Sequence, residues 1–178
     1  MNFFEMLVLN HRLHLEDGKV SFYGQDIVIF EPTSLAEYIS EIDNDLASIK
    51  LLYYITKEAI MENSKNIIDN FKATEPTKWI AKTVNLYAFG KITFVNNNME
   101  DVLLENSAIV KILKNKVKNP PDYILRGLIA GFSSIIRNEN LECIETECQA
   151  TGSQYCKLII GSQNYLKSKY LSLYETQI

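Results

Sequence analysis

The chain has 178 residues, is 47% hydrophobic, and carries a formal net charge of −4 with a pI near 5.3. That is enough for one domain, 1–178, with a sizeable core, and the lack of a dense basic block removes the electrostatic footprint of a nucleic-acid binder. The start, "MNFFEMLVLN", has no cationic head and holds Glu5 inside a short apolar run, and no stretch is long enough to span a membrane, so a soluble cytoplasmic protein is expected, with its three cysteines reduced, buried or metal-bound rather than disulfide-linked.

"HRLHLEDGKVSFYGQDIVIF" alternates apolar and polar residues around Asp17-Gly18, a strong hairpin signal. Pro32 breaks the strand. Leu35, Ile39, Ile42, Leu46, Ile49, Leu52 and Tyr53 then recur at helical spacing. This predicts one long helix from 33 to about 62, or two joined near Asn63-Ser64, and its length suggests pairing into a homodimer. A second helix runs from Pro76 through Ala88. "GKITFVNNNMEDVLLENS" reads as two strands about an Asn-rich turn. Pro120 and Pro121 open the apolar helix "DYILRGLIAGFSSIIR". "LECIETECQ" and "YCKLIIG" are two strands around Thr151-Gly152-Ser153, and residues 162–178 form a terminal helix. Helices and hairpins mix without strand–helix–strand alternation, which predicts an α+β fold with an antiparallel twisted sheet packed with helices.

Cys148 and Cys156 flank Gly152 symmetrically. Opposed residues of an antiparallel hairpin have position numbers with a constant sum, so the two thiols face each other about 4.5–5.5 Å apart at Cβ, close enough to share a zinc. Gly152 suits a positive-φ position in the loop. Cys143 and Glu145 lie just upstream with the opposite parity, so either reaches the same site only through a bulge or strong twist. The other reading of the spacing is three small reduced core residues.

The segments "MEDVLLENSAIVKIL", "PPDYILRGLIAGFSSII" and "LECIETECQATGSQYCKLII", together spanning 99–160, resemble the 4-vinyl reductase domain. The resemblance implies a fold shared with ligand-binding domains of nitric-oxide signalling and with Golgi-tethering subunits, and similar to the aromatic-sensing domains of bacterial transcriptional activators. Those sensors hold a structural zinc, and the motif carries over residue by residue to Glu145, Cys148 and Cys156 here. Their upstream cysteine falls on Asp122, so the resemblance implies zinc ligation by Glu145, Cys148 and Cys156, completed by Asp122 or Cys143.

The family name suggests reduction of a vinyl side chain of a tetrapyrrole. No G-x-G-x-x-G fingerprint is present, and the two histidines, His11 and His14, point to opposite faces of a regular strand. No residue is assigned a catalytic role. In "LRGLIAGFSSII", Gly127 and Gly131 share one face and admit a close neighbour, while Leu128, Phe132 and Ile135 form an apolar stripe. That stripe is either plain core or the wall of an apolar ligand cavity lined by Phe94, Leu128 and Phe132, completed by aromatics such as Trp79, Tyr87, Phe89 and Tyr123. The leading expectation is a binding domain for a small hydrophobic ligand, with a sensing or carrier role exerted through a protein partner or a homodimer. A tetrapyrrole reductase and a ligand-free interaction subunit are the alternatives.

Overall fold

The computed structural model describes residues 8–10, 13–16, 18–22, 25–27, 31–64, 76–86, 89–95 and 99–178. The chain divides into two compact units, Met1–Glu31 and Pro32–Ile178. In the first, β1 (Leu13–Glu16), β2 (Lys19–Phe22) and β3 (Gln25–Ile27) make an antiparallel sheet in that order. Glu16 pairs with Lys19 at the closed end of the first hairpin, and Gly18 there has φ +78°. The hairpin is where the Asp-Gly signal puts it, and "HRLHLEDGKVSFYGQDIVIF" contains a third short strand besides. His14 lies on β1 opposite Ser21, and His11 is outside the described residues.

The second unit begins with α1 (Pro32–Ile42) and α2 (Leu46–Asn63). The single helix expected over 33–62 is therefore broken, at Asp43-Asn44-Asp45. Short polar side chains compete for backbone groups and favour caps over helix interiors. Asp45 accepts from the N–H groups of Ala47 and Ser48 and so caps α2. Buried Asp43 accepts from the N–H groups of Lys118 and Asn119, which holds the break in place from a distant loop. Then come α3 (Pro76–Leu86), β4 (Lys91–Phe94), β5 (Asp101–Glu105), α4 (Ala108–Leu113), α5 (Tyr123–Arg137), β6 (Leu141–Glu147), β7 (Cys156–Ser162) and α6 (Gln163–Gln177). The short α4 is additional to the expected elements, and Ser107 caps it by accepting from Val110 N–H.

β4 to β7 form a four-stranded antiparallel sheet in the order β4-β5-β7-β6, packed with helices, which is the α+β architecture expected. Paired residues share a face, so Phe94, Val102, Leu158 and Glu145 make one row across the sheet. Ile92, Leu104 and Cys156 make the next. All are buried except half-buried Phe94. The reverse face exposes Lys91, Thr93 and Glu105.

α5 packs against β6 and β7 on one side and against α2 on another. A Cβ on Gly127 would lie 2.6 Å from the Tyr53 carbonyl oxygen, and one on Gly131 would lie 2.8 Å from Ile60 Cβ. The close approach read from the two glycines is real, and α2 is the element that approaches. α2 is also stitched to β6. Tyr53 Oη donates to Glu142 Oε2 at 2.6 Å and accepts from Cys143 N–H at 3.1 Å. Lys57 Nζ lies 2.8 Å from Glu142 Oε1 and donates to Asn140 Oδ1 at 2.7 Å. Tyr53, Lys57 and Glu142 are all buried.

Candidate functional site

The expected parity conflict between Glu145 and Cys148 is resolved by an irregularity in β6. Glu145 pairs with Leu158, but Glu147 pairs with Lys157, so Thr146 is an extra residue and the register shifts there. The bulge turns Cys148 to the side of the sheet that already carries Glu145 and Cys156. Cys148 Sγ and Cys156 Sγ are 3.8 Å apart. Beyond them the chain reverses with Ser153 N–H donating to the Cys148 carbonyl at 2.9 Å, and Gly152 takes φ +105°. The symmetric spacing about Gly152 is thus the geometry of this loop.

Asp122 is the residue immediately before α5, where a capping side chain is usual. It makes no capping hydrogen bond. Its carboxylate instead joins Glu145, Cys148 and Cys156, and one ligand atom from each of the four lies within 4.8 Å of the others. All four residues are buried. Among the described residues, Asp122 Oδ2 and both carboxylate oxygens of Glu145 have no hydrogen-bond partner. Cys143 stands outside the group. It lies two residues from Glu145 on a regular stretch of strand, about 6.6 Å along the chain, and burial pushes its thiol up.

The electrostatics are those of a crowded anionic site. Burial, then the nearby Cys156 sulfur, pushes Asp122 up to about 8, while Arg126 acts in the opposite direction. Burial and Asp122 push Glu145 far above the usual carboxylate range. The hydrogen bond between the two sulfurs lowers Cys156 and raises Cys148. Gln149 N–H donates to Cys156 Sγ at 3.2 Å, and Ala150 N–H donates to Cys148 Sγ at 3.4 Å.

This donor set fits a tetrahedral divalent cation. Two thiolates each about 2.3 Å from a tetrahedral zinc lie about 3.8 Å apart, which is the separation observed. A cation would satisfy the buried carboxylate oxygens that lack a partner among the described residues, and the two backbone N–H groups aimed at sulfur suit thiolate ligands. Four protein donors are the number that a closed tetrahedral shell would need.

Elsewhere, Phe132 of α5 packs edge-on against Trp79 of α3, with ring centroids 5.1 Å apart. Leu128 is buried one turn earlier, and Phe94 is half-buried on β4. Thr83, one turn beyond Trp79, is buried and its hydroxyl has no partner among the described residues. Of the other aromatics singled out, Phe89 is half-buried. Tyr123 lies beside Arg126, with the guanidinium carbon 5.4 Å from its ring centroid. Tyr87 falls outside the described residues. Two residues that pattern reasoning does not single out lie beside the donors: Arg126, whose charge acts on Asp122 and Glu145, and Gln177, which is hydrogen-bonded to the Glu145 backbone. Each is a buried polar residue whose partners are distant in sequence, so no local pattern marks it.

The family model for the 4-vinyl reductase domain matches residues 105–162, a stretch that holds α4, α5, β6, β7 and all four donors, and here the resemblance read from the sequence is borne out. No curated protein matches the chain. Among solved structures, the phenol-responsive sensory domain of the transcription activator PoxR, crystallised with phenol, is similar over 98% of this chain and 98% of its own, with a TM-score of 0.73 at 14% identity. At that identity the likeness is one of fold. A vinyl-4-reductase family protein from Methanocaldococcus jannaschii is similar over 72% of this chain and 92% of its own, with 18% identity and a TM-score of 0.48.

Proposed function

We propose that the chain is a binding domain for a small, largely apolar aromatic molecule, braced by a structural zinc held by Asp122, Glu145, Cys148 and Cys156. The observation that carries the ligand reading is the likeness of fold, over nearly the whole of both chains, to a sensory domain whose crystal holds phenol. The Trp79–Phe132 pair supports it, because small-ligand sites are mostly apolar with a few polar anchors. Phe132, Leu128 and Phe94 supply apolar walls. Thr83 supplies the anchor, since a buried hydroxyl without a partner is costly unless something binds it. Bound zinc supplies a four-way crosslink, and Asp122 thereby ties the start of α5 to the β6–β7 loop.

Sensing requires a route to another molecule, and a second copy of the chain is the proposed recipient. Leu51 and Ile55, one turn apart on α2, are 59% and 57% exposed, an apolar pair suited to a helix-mediated homodimer.

The test of the ligand reading is calorimetric titration with phenol and a panel of alkylphenols. Saturable binding that F132A weakens at least tenfold is expected. No heat from any panel member, in folded zinc-loaded protein, contradicts the reading.

A further inference from the structure

Arg126 lies four residues after Asp122 on α5 and is fully buried. A guanidinium stays charged in proteins, and a buried charge is tolerated only with compensation. Its hydrogen bonds supply little. Nη1 makes two long contacts, 3.4 Å each, to the carbonyls of Cys143 and Gln177, while Nε and Nη2 have no partner among the described residues. The guanidinium carbon lies 5.4 Å from the ring centroids of both Tyr53 and Tyr123. These faces attract a cation but do not neutralise it.

Gln177 is equally placed. It sits near the end of the C-terminal helix and is buried. Its carboxamide pairs with the free edge of β6 at one residue only. Glu145 N–H donates to Gln177 Oε1 at 2.8 Å, and Gln177 Nε2 donates to the Glu145 carbonyl at 2.8 Å. The side chain thus imitates a neighbouring strand, and the residue it fixes is a metal-site donor next to the bulge. The Gln177 backbone carbonyl is in turn one of the two acceptors of Arg126.

We propose that Arg126 and Gln177 are positioning residues of the four-donor site, and that they make metal occupancy and docking of the C-terminal helix mutually dependent. The proposal rests on the zinc reading above. Two carboxylates and two thiolates around a divalent cation leave a surplus of two negative charges in a buried place. Arg126 removes one unit of that surplus. Its partner in the balance is the ionised donor set, which accounts for a buried cation with so few hydrogen bonds. Gln177 holds the Glu145 backbone at the register from which the side chain meets Asp122, Cys148 and Cys156. Outer-layer groups of this kind commonly contribute about 10–100-fold to metal affinity. Coupling is reciprocal, so an ion that steadies Glu145 also steadies the helix that Gln177 belongs to. Zinc binding then becomes a signal at the end of α6, where Gln177 meets the free edge of β6.

The test compares zinc affinity, by competition with a chromophoric chelator, in the full chain and in R126M, R126K and Q177L. Circular dichroism serves as the control for folding. Affinity about 10–100-fold weaker in R126M and Q177L is expected, with R126K recovering part of the loss because the charge is retained. Amide hydrogen exchange of the unsubstituted chain, with and without zinc, is the second readout and needs no variant. Zinc should slow exchange across residues 171–178. Parent-like affinity in folded R126M and Q177L overturns the proposal, and so does exchange at 171–178 that zinc leaves unchanged. A parent chain that binds no zinc removes the zinc reading and this proposal together. Tight binding by the parent with indifferent variants removes only the proposal.

Discussion

At the residue scale, the site depends on one irregularity in β6. If Thr146 were paired in register instead of bulged, Cys148 and Glu145 would face opposite sides of the sheet, and this four-donor group could not form. Cys148→Ser should release the zinc and lower the melting temperature in zinc-replete buffer, measured by calorimetry. An unchanged metal content would show that Cys148 is a core residue only. The pH response has a definite sign. In the metal-free protein the fold holds Asp122 above its ordinary carboxylate value, at about 8. Its protonated form is therefore favoured by folding. That contribution is complete below the ordinary carboxylate range and is lost as pH rises towards 8. Zinc acts oppositely, because its donors must be deprotonated and protons compete with it. Denaturant unfolding at about pH 5 and about pH 7 should show the metal-free chain less stable at the higher pH and the gain from added zinc larger there. A zinc increment that does not grow between those two values contradicts the assignment of these donors.

At the element scale, the α2–α5 contact leaves no room for a side chain at Gly127 or Gly131. G127A would place a methyl 2.6 Å from a backbone oxygen that cannot move aside, and overpacking of this kind costs about 1–3 kcal/mol, readable by urea unfolding. The Lys57–Glu142 pair joins α2 to β6 with both charges buried. E142A should cost about 3–5 kcal/mol because Lys57 is left uncompensated, whereas K57M/E142L should recover most of it. Equal losses in the single and double variants would show that packing, not charge, matters there. These elements also mark what sequence reveals. The 3.6-residue pattern shows α5, the Asp-Gly pair shows the first hairpin, and the Cys–Gly–Cys spacing shows the β6–β7 loop, because each signal is local. The break at Asp43-Asn44-Asp45 escapes the pattern because the apolar period continues across it. What stops the helix is a cap at Asp45 and hydrogen bonds from the backbone of residues 118 and 119 to Asp43. Arg126 and Gln177 give no local signal for the same reason, since their partners lie far away in sequence.

At the scale of the whole molecule, the proposed parts are a zinc-braced sheet and helix pair, an apolar aromatic pocket, and an exposed apolar strip on α2. L51D/I55D should convert a dimer into a monomer by light scattering at micromolar concentration without loss of zinc. A parent chain that is already monomeric would send the output elsewhere. Native mass spectrometry of the chain purified without chelator is the decisive test of the zinc assignment, because metal and subunit masses are read together. One zinc per chain is expected, lost when Cys148 and Cys156 are replaced by serine, with a zinc-bound mass that survives mild activation as a buried four-coordinate ion should. A folded chain carrying less than about a tenth of an equivalent of zinc, with none taken up on titration, contradicts it.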